Sequence, residues 1–180
     1  MNGSTSEPRR RLFLALWPGD ALRDRIAKVA VACRVSGGRP VPRANWHITL
    51  AFLGSLDVER RRAVEHVADA VRVPAFELWL DRLGFWPRPG GILWLGTSQP
   101  PEALVRLATL IGEGISSSGI EVDRRPFHAH LTLMRRVERA VRLDPPTPLC
   151  WPIADFVLCE SVTDPGGARY RVLARWPLRD

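Results

Sequence analysis

Residues 46–53 read Trp-His-Ile-Thr-Leu-Ala-Phe-Leu, and the His-x-Thr-Leu pattern inside this stretch returns at residues 130–133 as His-Leu-Thr-Leu. Apolar and β-branched residues surround both copies, which predicts a β-strand at each. Because side chains on a strand alternate between two faces, the histidine and the threonine of each copy share one face. The other face is apolar and turns to the core, so each strand presents an imidazole and a hydroxyl away from the core.

The two copies together predict one cleft that holds two histidines. In the first copy His47 and Thr49 share a face, and the opposite face consists of Trp46, Ile48, Leu50 and Phe52. In the second copy His130 and Thr132 share a face, and the opposite face consists of Ala129, Leu131 and Leu133. One histidine on a strand is usually a packed or surface residue, but two matching copies in 180 residues are hard to explain by chance. Two imidazoles over one cleft can work as an acid–base pair.

The charge of the chain favours an anionic partner. The net charge is +7, and Lys28 is the only lysine among 26 basic residues. A basic protein attracts anions, and the two-pronged guanidinium of arginine suits phosphate. We therefore expect a phosphorylated or nucleic-acid substrate. The scarcity of lysine weighs against Schiff-base and P-loop chemistry.

The remaining composition predicts a cytoplasmic protein. The three cysteines, at positions 33, 150 and 159, fit no metal or redox spacing, so we expect reduced thiols. No apolar run approaches the ~20 residues that span a bilayer, and we expect no membrane partner. Residues 1–11 are predicted to be a flexible basic tail, followed by a single domain over residues 12–180.

Hydrophobic periodicity and turn signals predict an α+β fold with antiparallel hairpins. Helices are predicted at 20–33, with Asp20 as N-cap, at 57–71, with Asp57 as N-cap, and at 102–117. Strands are predicted at 11–17, 45–53, 76–83, 92–95, 126–134, 156–162 and 169–176. Each half of the chain has a helix, a basic or proline-bearing approach and then a motif strand. This echo predicts two pseudo-symmetric lobes, in which antiparallel sheet and flanking helices surround a central groove.

The motif residues resemble the paired motifs of the two-histidine (2H) phosphoesterases. The closest resemblance is to the RNA 2′,3′-cyclic phosphodiesterase branch, formerly called 2′-5′ RNA ligases. It rests on residues 46–54 and 126–133 and extends to segments 12–16, 93–96 and 170–178. That branch usually has proline where this chain has Ala129 and alanine where it has Met134. Neither change removes a reactive group.

The resemblance implies metal-independent hydrolysis of RNA 2′,3′-cyclic phosphate ends to 2′-phosphomonoesters. Reverse 2′-5′ RNA ligation is allowed by microscopic reversibility. In this reading His47 is the proton donor to the leaving 3′ oxygen, and His130 is the proton acceptor for water. Thr49 and Thr132 are placed to donate hydrogen bonds to phosphate oxygens. The resemblance adds Arg135 as a further phosphate contact.

Other candidate residues have more than one interpretation. His128 shares the face of His130, at the cleft edge or simply exposed, and His66 is expected to be exposed on a helix. No third ligand accompanies His128 and His130 at a suitable spacing, so we expect no metal and no cofactor. Base stacking and core packing both stay open for Trp46, Phe127 and Tyr170. RNA binding and a solvated loop both stay open for Arg124 and Arg125.

Three functions remain possible from the sequence. The first is the RNA-end phosphodiesterase, the second is a non-catalytic RNA-binding protein that kept the groove, and the third is a phosphodiesterase for a small cyclic nucleotide. Intact histidines and threonines favour an enzyme over a binding protein. The sequence does not separate RNA from a small nucleotide, because loops around the cleft set substrate size. We expect the protein to be a monomer.

Overall fold

The computed structural model describes residues 9–33, 37–87, 90–123, 125–138, 146–165 and 167–180. Three helices are present in these ranges: α1 (Asp20–Ala32), α2 (Val58–Ala70) and α3 (Glu102–Ser117). The strands are β1 (Arg10–Leu16), β2 (Arg39–Pro40), β3 (Ile48–Leu56), β4 (Phe76–Leu80), β5 (Arg82–Trp86), β6 (Ile92–Gly96), β7 (His130–Arg135), β8 (Leu149–Ile153), β9 (Asp155–Asp164) and β10 (Gly167–Pro177).

The strands form one large and one small antiparallel sheet. The large sheet has eight strands in the order β10-β9-β1-β3-β7-β6-β5, with β2 also paired to β7. The small sheet pairs β4 with β8. The two motif strands, β3 and β7, are neighbours at the centre of the large sheet, where Ile48 lies opposite Leu131. The α+β class with antiparallel hairpins is confirmed, whereas the division into two symmetric lobes stays a prediction.

Helix ends agree with local capping chemistry, with one correction. Asp57 is the N-cap of α2, and its carboxylate accepts a hydrogen bond from the Arg60 backbone N–H at 2.9 Å. Helix α3 has the predicted bounds. Asp20, however, is the first residue of α1 and not its cap. Gly19 holds the cap position with extended backbone and no side-chain bond.

The single strand predicted over residues 76–83 is wrong. The chain leaves β4 at Leu80 and enters β5 at Arg82, and these two strands belong to different sheets. Asp81 lies between them, and its carboxylate accepts hydrogen bonds from the Ser98 backbone N–H at 2.7 Å and from the Ser98 hydroxyl at 2.6 Å. This polar anchor interrupts the apolar alternation and turns the chain.

The predicted tail is too long at its carboxyl end. Arg10 and Arg11 belong to β1, where they pair with Leu56 and Ser55. Residues 1–8 lie outside the described residues. At the other end of the chain, the predicted closing hairpin is confirmed, and its strands pair from Gly167 opposite Asp164 to Pro177 opposite Asp155.

The large sheet has one face against the helices and one face toward the site. All three helices contribute to the main core, including Leu22 and Ile26 of α1, Val64 and Ala68 of α2, and Leu104, Leu107 and Ile111 of α3. A second, smaller apolar cluster lies on the other face and consists of Phe13, Ala15, Val157 and Cys159, with Trp17, Tyr170 and Val172 packed against it. The predicted cleft histidine His47 lies over this second cluster.

A β-bulge follows the threonine of each motif. In β3 Thr49 lies opposite Ala15 and Ala51 lies opposite Leu14, so Leu50 is the extra residue. In β7 Thr132 lies opposite Trp94 and Met134 lies opposite Leu93, so Leu133 is the extra residue. Each bulge shifts the alternation of the residues that follow it. The repeated sequence pattern thus includes a repeated backbone irregularity.

The bulges correct one sequence prediction. Phe52 was expected on the core face with Ile48, but it is 53% exposed and lies opposite Phe13 on the site face. The same shift in β7 leaves Met134 buried and Arg135 exposed. Ala129, Leu131 and Leu133 are buried as predicted.

Candidate active site

His47 is held by the backbone just before its own strand. The 3-10 turn Arg43–Asn45 precedes it, and its Nδ1 lies 2.7 Å from the Asn45 carbonyl oxygen. A carbonyl oxygen only accepts, so Nδ1 carries the proton in this bond. The other ring nitrogen, Nε2, lies 3.1 Å from the Thr49 hydroxyl. This arrangement leaves Nε2 as the nitrogen that can exchange a proton with a substrate.

His130 is held in the same way. Its Nδ1 lies 2.8 Å from the carbonyl oxygen of His128, again two residues earlier in the chain. Both motif histidines therefore donate from Nδ1 to the backbone at the same sequence separation. The hydrogen bond from Nδ1 to a backbone carbonyl oxygen fixes the tautomer and the ring orientation of each imidazole.

Aromatic rings enclose His47. Its ring centroid lies 4.8 Å from Phe13, 5.8 Å from Trp17 in a stacked arrangement, and 5.1 Å from Tyr170 edge-on. The pKa of His47 is lowered from 6.5 to about 4, mainly by the loss of water around the ring and also by the positive charges of His130, Arg135 and Arg23. The hydrogen bond to Asn45 opposes this shift. His47 is consequently neutral at neutral pH in the free protein.

His130 lies among different neighbours at the other side of the cleft. The ring of Trp86 is 4.5 Å away and edge-on, and the ring of His128 is 6.0 Å away. His128 is exposed, and its ring also contacts Trp94 at 4.7 Å. Partial burial and the charge of Arg82 lower the pKa of His128. His128 thus satisfies both interpretations, because it is exposed and lies at the cleft edge.

The fold brings the five predicted site residues to one face of one sheet. An antiparallel register centred on Ile48 and Leu131 places His47 across from Thr132 and Thr49 across from His130. Both histidines and both threonines are partly buried, and Arg135 is exposed on the same face after the Leu133 bulge. Two imidazoles, two hydroxyls and one guanidinium thereby share this face.

Arg23 is a residue of this site that the sequence analysis missed. It is 5% exposed, and its guanidinium donates hydrogen bonds to the carbonyl oxygens of Pro18 at 2.9 Å, Trp46 at 3.2 Å and Arg43. The guanidinium carbon also lies 5.1 Å from the centre of the Trp17 ring. Burial lowers the pKa of Arg23. Its position three residues before the apolar Ile26 was the available signal, since an exposed arginine would lie off that helix face.

For the remaining candidate residues, the structure favours core packing or exposure in some cases and contact with the site in others. Trp46 is buried, Phe127 packs against the main core, and Tyr170 contacts His47. Arg125 is exposed and pairs with Asp123, and Arg124 lies outside the described residues. His66 is exposed on α2, as predicted.

Within the described ranges, no three side chains of the types His, Cys, Asp and Glu form a group that could hold a metal ion. None of the helices there is long and apolar enough to cross a bilayer. The three cysteines are free, and burial raises the pKa of the Cys159 thiol to about 12.

Comparison with known proteins establishes the relationship of the chain. The sequence model of the 2′-5′ RNA ligase superfamily matches residues 18–163. The chain belongs to this superfamily. The RNA 2′,3′-cyclic phosphodiesterase of Escherichia coli is 37% identical over 174 residues, which cover 96% of this chain and 98% of the relative.

Solved structures of superfamily members agree with the fold. Apo Escherichia coli LigT has a TM-score of 0.90 at 36% identity and covers 97% of this chain and 100% of its own. LigT complexed with 3′-AMP has a TM-score of 0.89 at 36% identity, covering 96% and 99%. The resemblance drawn from the two His-x-Thr-Leu motifs is therefore confirmed.

Proposed function

We propose that this superfamily member hydrolyses RNA 2′,3′-cyclic phosphate ends to 2′-phosphomonoesters, with His47 and His130 as the acid–base pair. The observation that carries the proposal is the matched seating of the two imidazoles, each with Nδ1 bonded to the backbone two residues earlier. Support also comes from the Escherichia coli relative, which is named an RNA 2′,3′-cyclic phosphodiesterase. A structure of LigT complexed with 3′-AMP supports a nucleotide as ligand.

The reaction needs two proton transfers. Nε2 of His130 accepts a proton from water, and the water oxygen forms a bond to phosphorus. The bond from phosphorus to the 3′ oxygen breaks, and protonated Nε2 of His47 gives its proton to that oxygen. The product carries a 2′-phosphate and a 3′-hydroxyl. When a 5′-hydroxyl takes the place of water, its oxygen forms the bond to phosphorus, the bond from phosphorus to the 3′ oxygen breaks, and the product is a 2′-5′ phosphodiester.

Thr49, Thr132 and Arg135 bind the phosphate in this proposal. Charge grows on the non-bridging oxygens in the transition state, and fixed donors stabilise it there. Arg135 supplies a charged donor, which strengthens such hydrogen bonds.

The donor role of His47 depends on the bound anion. The free site lowers the pKa of His47 to about 4, through lost water and nearby positive charge. A phosphate beside the ring adds negative charge, which favours the protonated imidazole and raises the pKa. The substrate thereby creates the acid that its own leaving group requires.

The test is hydrolysis of a short RNA that ends in a 2′,3′-cyclic phosphate, with excess EDTA present and with 2′ and 3′ products resolved. The proposal expects turnover in EDTA and a 2′-phosphate product. Turnover that requires an added divalent cation, or a 3′-phosphate product, would contradict the mechanism. The proposal further places the protein in the cytoplasm as a monomer. Sedimentation of the purified protein tests the oligomeric state.

A further inference from the structure

Strands β2, β5 and β7 carry arginines on the site face. His130 pairs with Gly96, and Gly96 pairs with Arg82. Residues in one row across a sheet share a face, so Arg82 is on the face of His130. Gly96 between them has no side chain, and the gap of two strand spacings is about 10 Å. The Trp94 ring covers this gap, since a Cβ atom on Gly96 would lie 3.0 Å from it, and the guanidinium carbon of Arg82 is 6.0 Å from the ring centre.

The other end of β7 also has arginines on the site face. Arg135 pairs with Arg39 of β2 on one side and with Ile92 of β6 on the other. Like charges directly opposite each other on paired strands repel, so this arrangement costs stability. Both arginines are exposed. We call Arg39, Arg82 and Arg135 the cationic rim.

No carboxylate in the described part of the chain forms an ion pair with any residue of the cationic rim. Ion pairs in those ranges involve other arginines, namely Arg10, Arg43, Arg61, Arg125 and Arg175. The positive charge of Arg82 also acts on a neighbour of His130, because it contributes to the lowered pKa of His128. The cationic rim is therefore positive charge at both ends of β7, without a carboxylate partner in the ranges that the structure describes.

Aromatic residues lie between the arginines of the rim. Trp94 shares a row with Thr132 and Gly84, and its ring lies over Gly84, where a Cβ atom would be 2.0 Å from the ring. Trp94 is 4% exposed, and its Nε1 has no hydrogen-bond partner among the described residues. Trp86 lies beside it at 5.3 Å. Arginines interleaved with aromatic rings are the typical surface for single-stranded nucleic acid.

We propose that Arg39 and Arg82 of the cationic rim bind backbone phosphates on the 5′ side of the cyclic end, so that the protein favours an RNA strand over a small cyclic nucleotide. This rests on the proposed function. A cyclic mononucleotide has one phosphate, and the two histidines and two threonines bind it. Arg82 and Arg39 lie beyond that position, and only a longer strand supplies a phosphate for them. Trp86, partly buried on the same face, offers a ring to an upstream base.

The first test compares two substrates, a short RNA ending in a 2′,3′-cyclic phosphate and 2′,3′-cyclic AMP. The readout is the ratio of their kcat/KM values in wild type and in the double variant Arg39→Gln/Arg82→Gln. The ratio is expected to fall about tenfold through KM for the RNA, because two charge-assisted contacts are lost. The matched control, Arg62→Gln/Arg106→Gln, removes two exposed helix arginines and is expected to keep the ratio. An unchanged ratio in the rim variant overturns the proposal.

The second test does not depend on turnover. Fluorescence anisotropy measures binding of a labelled RNA oligomer with a 2′-phosphate end over a range of salt concentrations. The rim variant is expected to bind more weakly, with a slope of log Kd against log salt that is lower by about 1.4, since each single-strand phosphate contact contributes about 0.7. Equal affinity and slope in variant and wild type overturn the rim proposal. Failure of wild type to hydrolyse either substrate instead contradicts the proposed function.

Discussion

Ile48 lies directly opposite Leu131 in the ladder between β3 and β7. Both side chains are fully buried, and each follows the histidine of its motif. The pair joins the two copies at equivalent positions, so the copies extend from one point in opposite directions. That single register position explains how two histidines far apart in sequence come to one face of the large sheet.

The electrostatics of His47 give the first prediction. In an NMR titration of the free protein, the pKa of His47 is expected near 4, below the usual 6.5, because the ring is desolvated and faces positive charge. Addition of 2′-AMP is expected to raise it. A pKa that stays near 4 with the nucleotide bound would contradict the donor role of His47.

The same shift predicts how acid affects stability. The unfolded chain binds a proton at His47 below about pH 6.5, whereas the folded protein resists protonation until about pH 4. The contribution of His47 to folding free energy is therefore complete above pH 6.5 and is lost as the pH falls toward 4. Urea denaturation at pH 5 and pH 7 measures this, and His47→Gln is expected to reduce the difference between the two values.

Arg23 gives a prediction about positioning. Its guanidinium holds the carbonyls of Arg43 and Trp46, which flank the turn that presents Asn45 to His47. Arg23→Met is expected to lower kcat by about 10²-fold, the size of effect that a misplacement near 1 Å produces. It is also expected to raise the pKa of His47, since a nearby positive charge is lost.

Two comparisons separate positioning from general stability in that variant. Arg25→Met on the same helix removes an exposed arginine that donates a hydrogen bond to the Cys150 carbonyl at 3.4 Å, and is expected to keep kcat. Arg23→Lys is expected to restore part of the activity. Loss of stability in Arg23→Met without a change in kcat or in the His47 pKa would show that Arg23 is structural only.

Gly84 and Gly112 give opposite predictions for one substitution. Gly84→Ala would place a Cβ 2.0 Å from the Trp94 ring, and the free energy of unfolding is expected to fall by about 1–3 kcal/mol. Gly112 lies in α3 with nothing within 4 Å of a Cβ, so Gly112→Ala is expected to stabilise by about 0.5–1 kcal/mol. Chemical denaturation measures both. A neutral Gly84→Ala would mean that Trp94 does not lie over β5.

The sequence predicts those parts of the protein that depend on local chemistry. Asp57 caps α2 because the cap is a contact within one turn. The alternation of buried and partly buried residues is confirmed across both His-x-Thr motifs. Simple alternation puts Phe52 and Arg135 on the wrong face, because the bulges at Leu50 and Leu133 shift the residues after them. These bulges depend on the partner strands, and the periodicity of one segment holds no information about its partners. The structural roles of Asp81 and Arg23 could not be predicted for a similar reason, since their partners Ser98 and Trp46 are distant in sequence.

The most direct measurement of the central claim is the rate of cyclic-end hydrolysis in four alanine variants of the histidines. His47→Ala and His130→Ala are each expected to lose about 10²–10⁴-fold or more, because each removes one proton transfer. His66→Ala is expected to match wild type. His128→Ala is expected to be mild, since the backbone carbonyl that holds His130 remains. Equal losses in the His47, His128 and His130 variants, or full activity without His47 or His130, would contradict the assignment of the pair.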